Sequence, residues 1–125
     1  MIADKIVADG LFRGGNPPNH VLLNNYRPGD GILPHTDGPA YYPYVCILSL
    51  QSGLNLNIWK DHEDVRSKNY LARFYLEPRS LFIFTDDHYS YHLHGIEETL
   101  EDDLSSVTNL DLLSSSLREQ AKSGT

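Results

Sequence analysis

The sequence predicts a mainly β domain, a sandwich or barrel of antiparallel sheet. Three observations predict it. Short runs rich in aromatic and branched residues recur between residues 20 and 96, and these residue types pack well on a pleated surface. Turn signals separate the runs: Pro28-Gly29-Asp30-Gly31, Gly38-Pro39, Ser52-Gly53 and Glu77-Pro78. No period repeats along the chain, which argues against a propeller or a solenoid.

Each element follows in order. A short helical piece is expected within Ile2 to Leu11, near Gly10, and then a turn-rich link, Gly14-Gly15-Asn16-Pro17-Pro18-Asn19. Residues 1–19 are therefore read as an N-terminal segment and link, and residues 20–96 as the β core. Val21-Leu22-Leu23 and Val45-Cys46-Ile47-Leu48 are apolar runs of strand length. Leu54-Asn55-Leu56-Asn57-Ile58 alternates strictly, as a half-buried strand does. Tyr70 to Leu76 and Leu81-Phe82-Ile83-Phe84 follow, and Tyr89 to Ile96 alternates again. From residue 97 to 125, acid and serine dominate and aromatics vanish. Leu104, Val107, Leu110, Leu113 and Leu117 are spaced as in a weak amphipathic helix, but Ser114-Ser115-Ser116 and Lys122-Ser123-Gly124-Thr125 read as loose. This tail is expected to be a loop or a frayed helix.

Composition bounds the function. At 125 residues and 14.2 kDa the chain is one modest domain, and 40% apolar against 22% charged residues is a globular balance. No apolar run reaches the roughly 18 residues of a membrane span, and Met1-Ile2-Ala3-Asp4-Lys5-Ile6 lacks a signal-peptide layout. The single cysteine, Cys46, excludes an internal disulfide and points to a reducing intracellular compartment. The net charge is −7, most of it in the seven acids and two bases after residue 96. Such a chain is not built for indiscriminate binding to a phosphate backbone, though a local nucleic-acid site remains compatible with it.

His35-Thr36-Asp37 carries the chemistry. On an extended strand, residues two apart share a face, so the imidazole and the carboxylate project together. They offer two ligands for a divalent metal, and a second histidine would complete a two-histidine, one-carboxylate triad, which leaves open positions and suits non-haem Fe(II). The third ligand is sought in Asp87-His88-Tyr89-Ser90-Tyr91-His92-Leu93-His94-Gly95. Read as a strand, this segment puts His88, Ser90, His92 and His94 on one face. His94 stands before Gly95, where backbone can approach a site closely. By itself a His-x-Asp pair is common, and His20 and His62 are assigned to the surface. Tyr41, Tyr42 and Tyr44 are more simply core or cross-strand residues than pocket lining, and Cys46 is an inert core residue. Phosphate-loop, nucleophile-elbow and paired-cysteine zinc patterns are absent from the sequence.

Three linked motifs then carry a resemblance. Asn24-Asn25-Tyr26-Arg27-Pro28-Gly29-Asp30-Gly31-Ile32 leads into His35-Thr36-Asp37-Gly38-Pro39 and Tyr41-Tyr42-Pro43. Later, Glu77-Pro78-Arg79-Ser80-Leu81 precedes Leu93-His94-Gly95-Ile96. Over residues 11–96 the chain resembles the AlkB-like Fe(II)- and 2-oxoglutarate-dependent dioxygenases, most closely their sixth homologue branch. The resemblance implies a double-stranded β-helix, or jelly roll, with Fe(II) at His35, Asp37 and His94. The shared face of His35 and Asp37 and the place of His94 beside Gly95 predict that these three converge and that His88 and His92 are not ligands. The resemblance also implies 2-oxoglutarate held by Asn24 and Tyr26, an amide and a phenol that can hydrogen-bond a carboxylate. The partner it implies is an alkylated nucleic acid or another N-methylated substrate, met in the nucleus or the cytoplasm.

One departure stands beside the match. The family pattern continues to a strand carrying Arg-x5-Arg, whose first arginine clamps the distal carboxylate of 2-oxoglutarate. After His94 this sequence has a single arginine, Arg118, and position 124 is Gly124. The expected architecture is thus an incomplete jelly roll, lacking the last strand and most of the N-terminal region. Two functions compete: an AlkB-type dioxygenase, and a non-catalytic jelly-roll module that binds metal but not 2-oxoglutarate. Weak or absent turnover of 2-oxoglutarate by this chain is the expectation unless Arg118 folds back across the barrel mouth. A cupin-like isomerase is disfavoured by the Asn-x-Tyr and His-Gly-Ile contexts.

Overall fold

The computed structural model describes residues 2–12 and 17–124, so Gly14, Gly15 and Asn16 of the predicted link lie outside the described residues. Six strands form in chain order: β1 (Ile32–His35), β2 (Tyr44–Leu48), β3 (Leu54–Trp59), β4 (Ala72–Leu76), β5 (Leu81–Thr85) and β6 (Leu93–Ile96). They make two antiparallel sheets, one ordered β1-β6-β3-β4 and the other the pair β2-β5. The fold is mainly β, and among the described residues the sheets do not close into a barrel. Short helices fill the gaps: α1 (Ile2–Ala8), α2 (His62–Ser67), α3 (Asp86–Ser90) and α4 (Ser115–Ser123). None is long and apolar enough to cross a membrane.

The core lies between the sheets. Leu56, Ile58 and Leu76 are buried there, with Phe74, Ala72 and Ile96 from the larger sheet and Ile47 and Phe82 from the smaller. The rings of Phe74 and Phe82 meet across it at 4.9 Å. Runs read as strands at 45–48, 54–58 and 81–84 are strands, each paired along an antiparallel neighbour and sending Ile47, Leu56 with Ile58, and Phe82 respectively into this layer.

Two expectations need correction. Val21-Leu22-Leu23 is not a strand: its side chains are 91%, 75% and 77% exposed, and no described sheet edge pairs with it. An apolar run supplies only half of what a strand needs, the other half being a partner for its backbone. Tyr89 to Ile96 is not one strand either. Asp86–Ser90 winds into α3, with Asp86 in the left-handed region at φ 55°, and β6 begins only at Leu93. His62, assigned to the surface, is there, as the exposed first residue of α2, capped by Asp61, whose carboxylate accepts from the Asp64 N–H at 2.9 Å.

The acidic tail is a loop as far as Ser114, apart from one 3-10 turn at Leu110–Leu112, but it is not a loose one. Leu104, Val107 and Leu113 are buried, yet no helix joins them. Instead the tail runs along β4 and over the outer face of the larger sheet. The Thr108 N–H donates to the Arg73 carbonyl at 2.6 Å, and the Asn109 amide bonds both the N–H and the C=O of Tyr75. On the outer face, the Asn55 N–H donates to Asp102 and its side-chain amide to the Asp103 carbonyl. This cover explains why β3 is not half-buried: Asn55 and Asn57 are buried on the face opposite Leu56 and Ile58. Ser115 and Ser116, read as loose, open α4, which ends at Gly124 with φ 72°.

Candidate metal centre

His35 ends β1, and the strand that carries it is an edge strand, where Pro34 is tolerated because its missing N–H interrupts no ladder. Ile32 pairs with Ile96, but His35 pairs with His94, so β1 carries one extra residue between them. That bulge re-aims the strand end. Without it, His94 would stand opposite Pro34; with it, the two imidazoles face each other at 4.3 Å between centroids. Gly95 makes the pairing possible. A Cβ there would lie 2.8 Å from the Ile32 carbonyl oxygen and 3.1 Å from the Pro34 nitrogen.

Asp37 lies beyond β1, so strand alternation is not what brings it to His35. The chain leaves the strand and turns at Gly38, whose φ of 85° is a left-handed conformation. The carboxylate then lies between the rings, with Asp37 Oδ1 at 3.6 Å from His35 Nε2 and 3.4 Å from His94 Nε2. The three ligand atoms all lie within 4.8 Å of one another, and they are the one such group of three among the described residues. His35, Asp37 and His94 therefore converge, while His88 and His92 stand outside the group.

Protonation favours the arrangement. His35 Nδ1 contacts the Leu33 carbonyl at 2.8 Å, and a carbonyl can only accept, so Nδ1 carries a proton and Nε2 is the nitrogen turned to the centre. His94 is 8% exposed, and its burial holds the imidazole below its ordinary value despite the attraction of Asp37. It is neutral at neutral pH, as a ligand must be. Phe84 packs against its ring at 5.1 Å. Tyr89, buried in α3, donates its hydroxyl to the Gly38 carbonyl at 2.6 Å, with the Tyr41 carbonyl at 3.0 Å. That phenol pins the loop that follows Asp37. Sequence reading missed both aromatics, since an aromatic in a sheet protein carries no local mark of the site it supports.

Asn24 is exposed and Tyr26 half-buried, in a stretch without regular structure. Among the described residues neither makes a hydrogen bond, ion pair or ring contact with the three converging side chains. Burial raises the Tyr26 phenol above its usual value. Arg118 is exposed on α4, beside Glu119 and Lys122. Tyr44 packs edge-on against Phe12 at 4.8 Å, and Tyr41 and Tyr42 are exposed. Cys46 is half-buried in β2, and that burial pushes its thiol up, away from the nucleophilic form.

Relatives bear on what this donor set belongs to. No family model matches the chain. A curated protein of Danio rerio, named probable RNA/DNA demethylase ALKBH6, is 38% identical to it over 109 residues, 82% of this chain. The chain belongs to the AlkB-like family. Uncharacterized protein L905 of Acanthamoeba polyphaga mimivirus is 35% identical over 105 residues, 83% of this chain. The matches cover 46% and 45% of those two proteins, so this AlkB-like chain spans less than half the length of the curated relatives it matches. The matched share of the chain is large enough to hold most of the two sheets that position the centre.

Proposed function

We propose that this AlkB-like chain is the metal-holding part of an oxidative demethylase acting on an N-methylated base of RNA or DNA. Fe(II) is the metal and 2-oxoglutarate the co-substrate in this reading. The two antiparallel sheets are read as part of a double-stranded β-helix, and the nucleus or the cytoplasm as the place of action. The observation that carries it is the triangle of His35 Nε2, His94 Nε2 and Asp37 Oδ1. Two imidazoles and one carboxylate on one side leave the opposite positions open, and that donor set suits non-haem iron. Iron so held supplies oxygen activation, and oxidation of an N-methyl carbon releases formaldehyde.

The chain's own residues have defined parts. His35 and His94 would offer their Nε2 nitrogens, the first ring oriented by the Leu33 carbonyl and the second held by burial. Asp37 is the one anion among the three, and Tyr89 holds the loop behind it. Arg118, the one arginine after His94, lies on α4 beside Glu119 and Lys122. That observation favours a second reading, a module that binds metal without turning over the co-substrate. One experiment separates the two. Anaerobic calorimetry should show Fe(II) binding that weakens at least about tenfold in Asp37→Ala, which removes the anionic ligand. Succinate and formaldehyde are then measured with an N-methylated oligonucleotide. Turnover supports the demethylase; binding without turnover supports the module. Equal Fe(II) affinity in Asp37→Ala would defeat both.

A further inference from the structure

His88 and His92 stand apart from the iron triad, and the structure brings them together for a different reason. His88 lies in the last turn of α3, and His92 two residues past its end. The Tyr91 and His92 N–H groups both donate to the Asp87 carbonyl, at 2.9 and 3.1 Å. The chain therefore makes one wider turn before β6, and this turn sets the two imidazoles against each other. Their ring centroids are 4.8 Å apart at 64°, and the two Nδ1 atoms are 2.9 Å apart. Neither atom bonds a carbonyl or a carboxylate. In the metal-free chain one Nδ1 donates its proton to the other.

We propose that His88 and His92 form a second metal site, a two-imidazole chelate for a tetragonal late transition ion, Cu(II) or Ni(II). The separation selects the geometry. Two metal–nitrogen bonds of about 2.0–2.1 Å meeting at a right angle hold their nitrogens about 2.9 Å apart, whereas a tetrahedral ion would need about 3.4 Å. Square-planar and tetragonal nitrogen sites are those of Cu(II) and Ni(II), and Cu(II) stands highest in affinity among the first-row divalent ions. On binding, the donating ring moves its proton to its own Nε2 and both rings turn off the Nδ1–Nδ1 axis, so both lone pairs meet the metal and no proton is released. His88 is exposed, which leaves solvent to fill the remaining positions. Asp86 and Asp87, also exposed, add negative charge beside the pair.

The test is a Cu(II) titration of the full 125-residue chain, read by electron paramagnetic resonance and equilibrium dialysis. Asp37→Ala, His62→Gln, His88→Gln and His92→Gln proteins are titrated beside it. A tetragonal signal split by two nitrogens should persist in Asp37→Ala and in His62→Gln. In His88→Gln and in His92→Gln the affinity behind it should fall about a hundred-fold, the loss expected when two linked ligands become one. His88 is exposed, so its substitution tests the site even if the half-buried His92 proves necessary for folding. An affinity within twofold of the parent in His88→Gln would overturn the proposal. So would loss of the signal in Asp37→Ala, which would assign the copper to the triad.

Discussion

A methyl group added at Gly95 would sit 2.8 Å from the Ile32 carbonyl oxygen and 3.2 Å from the Pro34 Cα, both backbone atoms of β1. Nothing flexible is available to give way, so β1 and β6 must separate. That separation would carry His35 away from His94, since these two residues are paired across the same strands. Gly95→Ala is therefore expected to cost about 1–3 kcal/mol of stability, the usual penalty of overpacking. It should also weaken metal binding about tenfold or more. Urea denaturation checks the first and anaerobic calorimetry the second. A variant with parental affinity would show that the bulge in β1 absorbs the added carbon. At this scale the sequence was informative about Gly95, because a glycine after a histidine at a strand end signals close backbone approach. It was silent about Tyr89, whose role depends on two carbonyls about fifty positions away.

β4 is the outer strand of the larger sheet, and an uncovered edge is a template for pairing with another chain. The tail closes it without forming a strand. Asn109 offers its side-chain amide as a substitute peptide, accepting from the Tyr75 N–H at 3.0 Å and donating to the Tyr75 carbonyl at 2.9 Å. Thr108 serves Arg73 in the same way with its N–H and its hydroxyl. Asn109→Ala removes both bonds at Tyr75 and leaves two backbone groups without partners. About 1–3 kcal/mol of destabilisation is expected, measured by chemical denaturation. Light scattering should show self-association, because the edge is then open. The serine and acid content of the tail hid this element. Single hydrogen bonds to an edge strand have no period, so no pattern in the sequence announces them.

For the whole molecule, pH is a lever on folding. Burial holds His94 below its ordinary value, so the unfolded chain takes up this proton before the folded chain does. The stability contributed by the neutral imidazole is fully present above about pH 6.5, the unfolded value. It is lost as pH falls through the lower folded value. The metal-free chain should therefore become easier to denature on moving from pH 7.5 to about pH 5.5. His94→Gln should flatten that decline. Thermal or urea denaturation across this range is the measurement, and a parental slope in the variant would place the proton uptake on another group.

The sequence by itself determined the residue types of the centre and their order along the chain. It also determined the β character of residues 45–48, 54–58 and 81–84, because alternation and side-chain shape are local properties. The AlkB-like kinship was legible in the same way, in motifs quoted whole from the chain. Only the tertiary structure decided how His35 comes to face His94, through a bulge whose existence depends on the pairing of two strands distant in sequence. It also decided that Val21-Leu22-Leu23 is no strand, since an apolar run becomes one only where an edge is available to it. The division has one physical reason. Propensity and periodicity belong to neighbours in the chain, whereas backbone partners, burial and the meeting of ligands belong to neighbours in space.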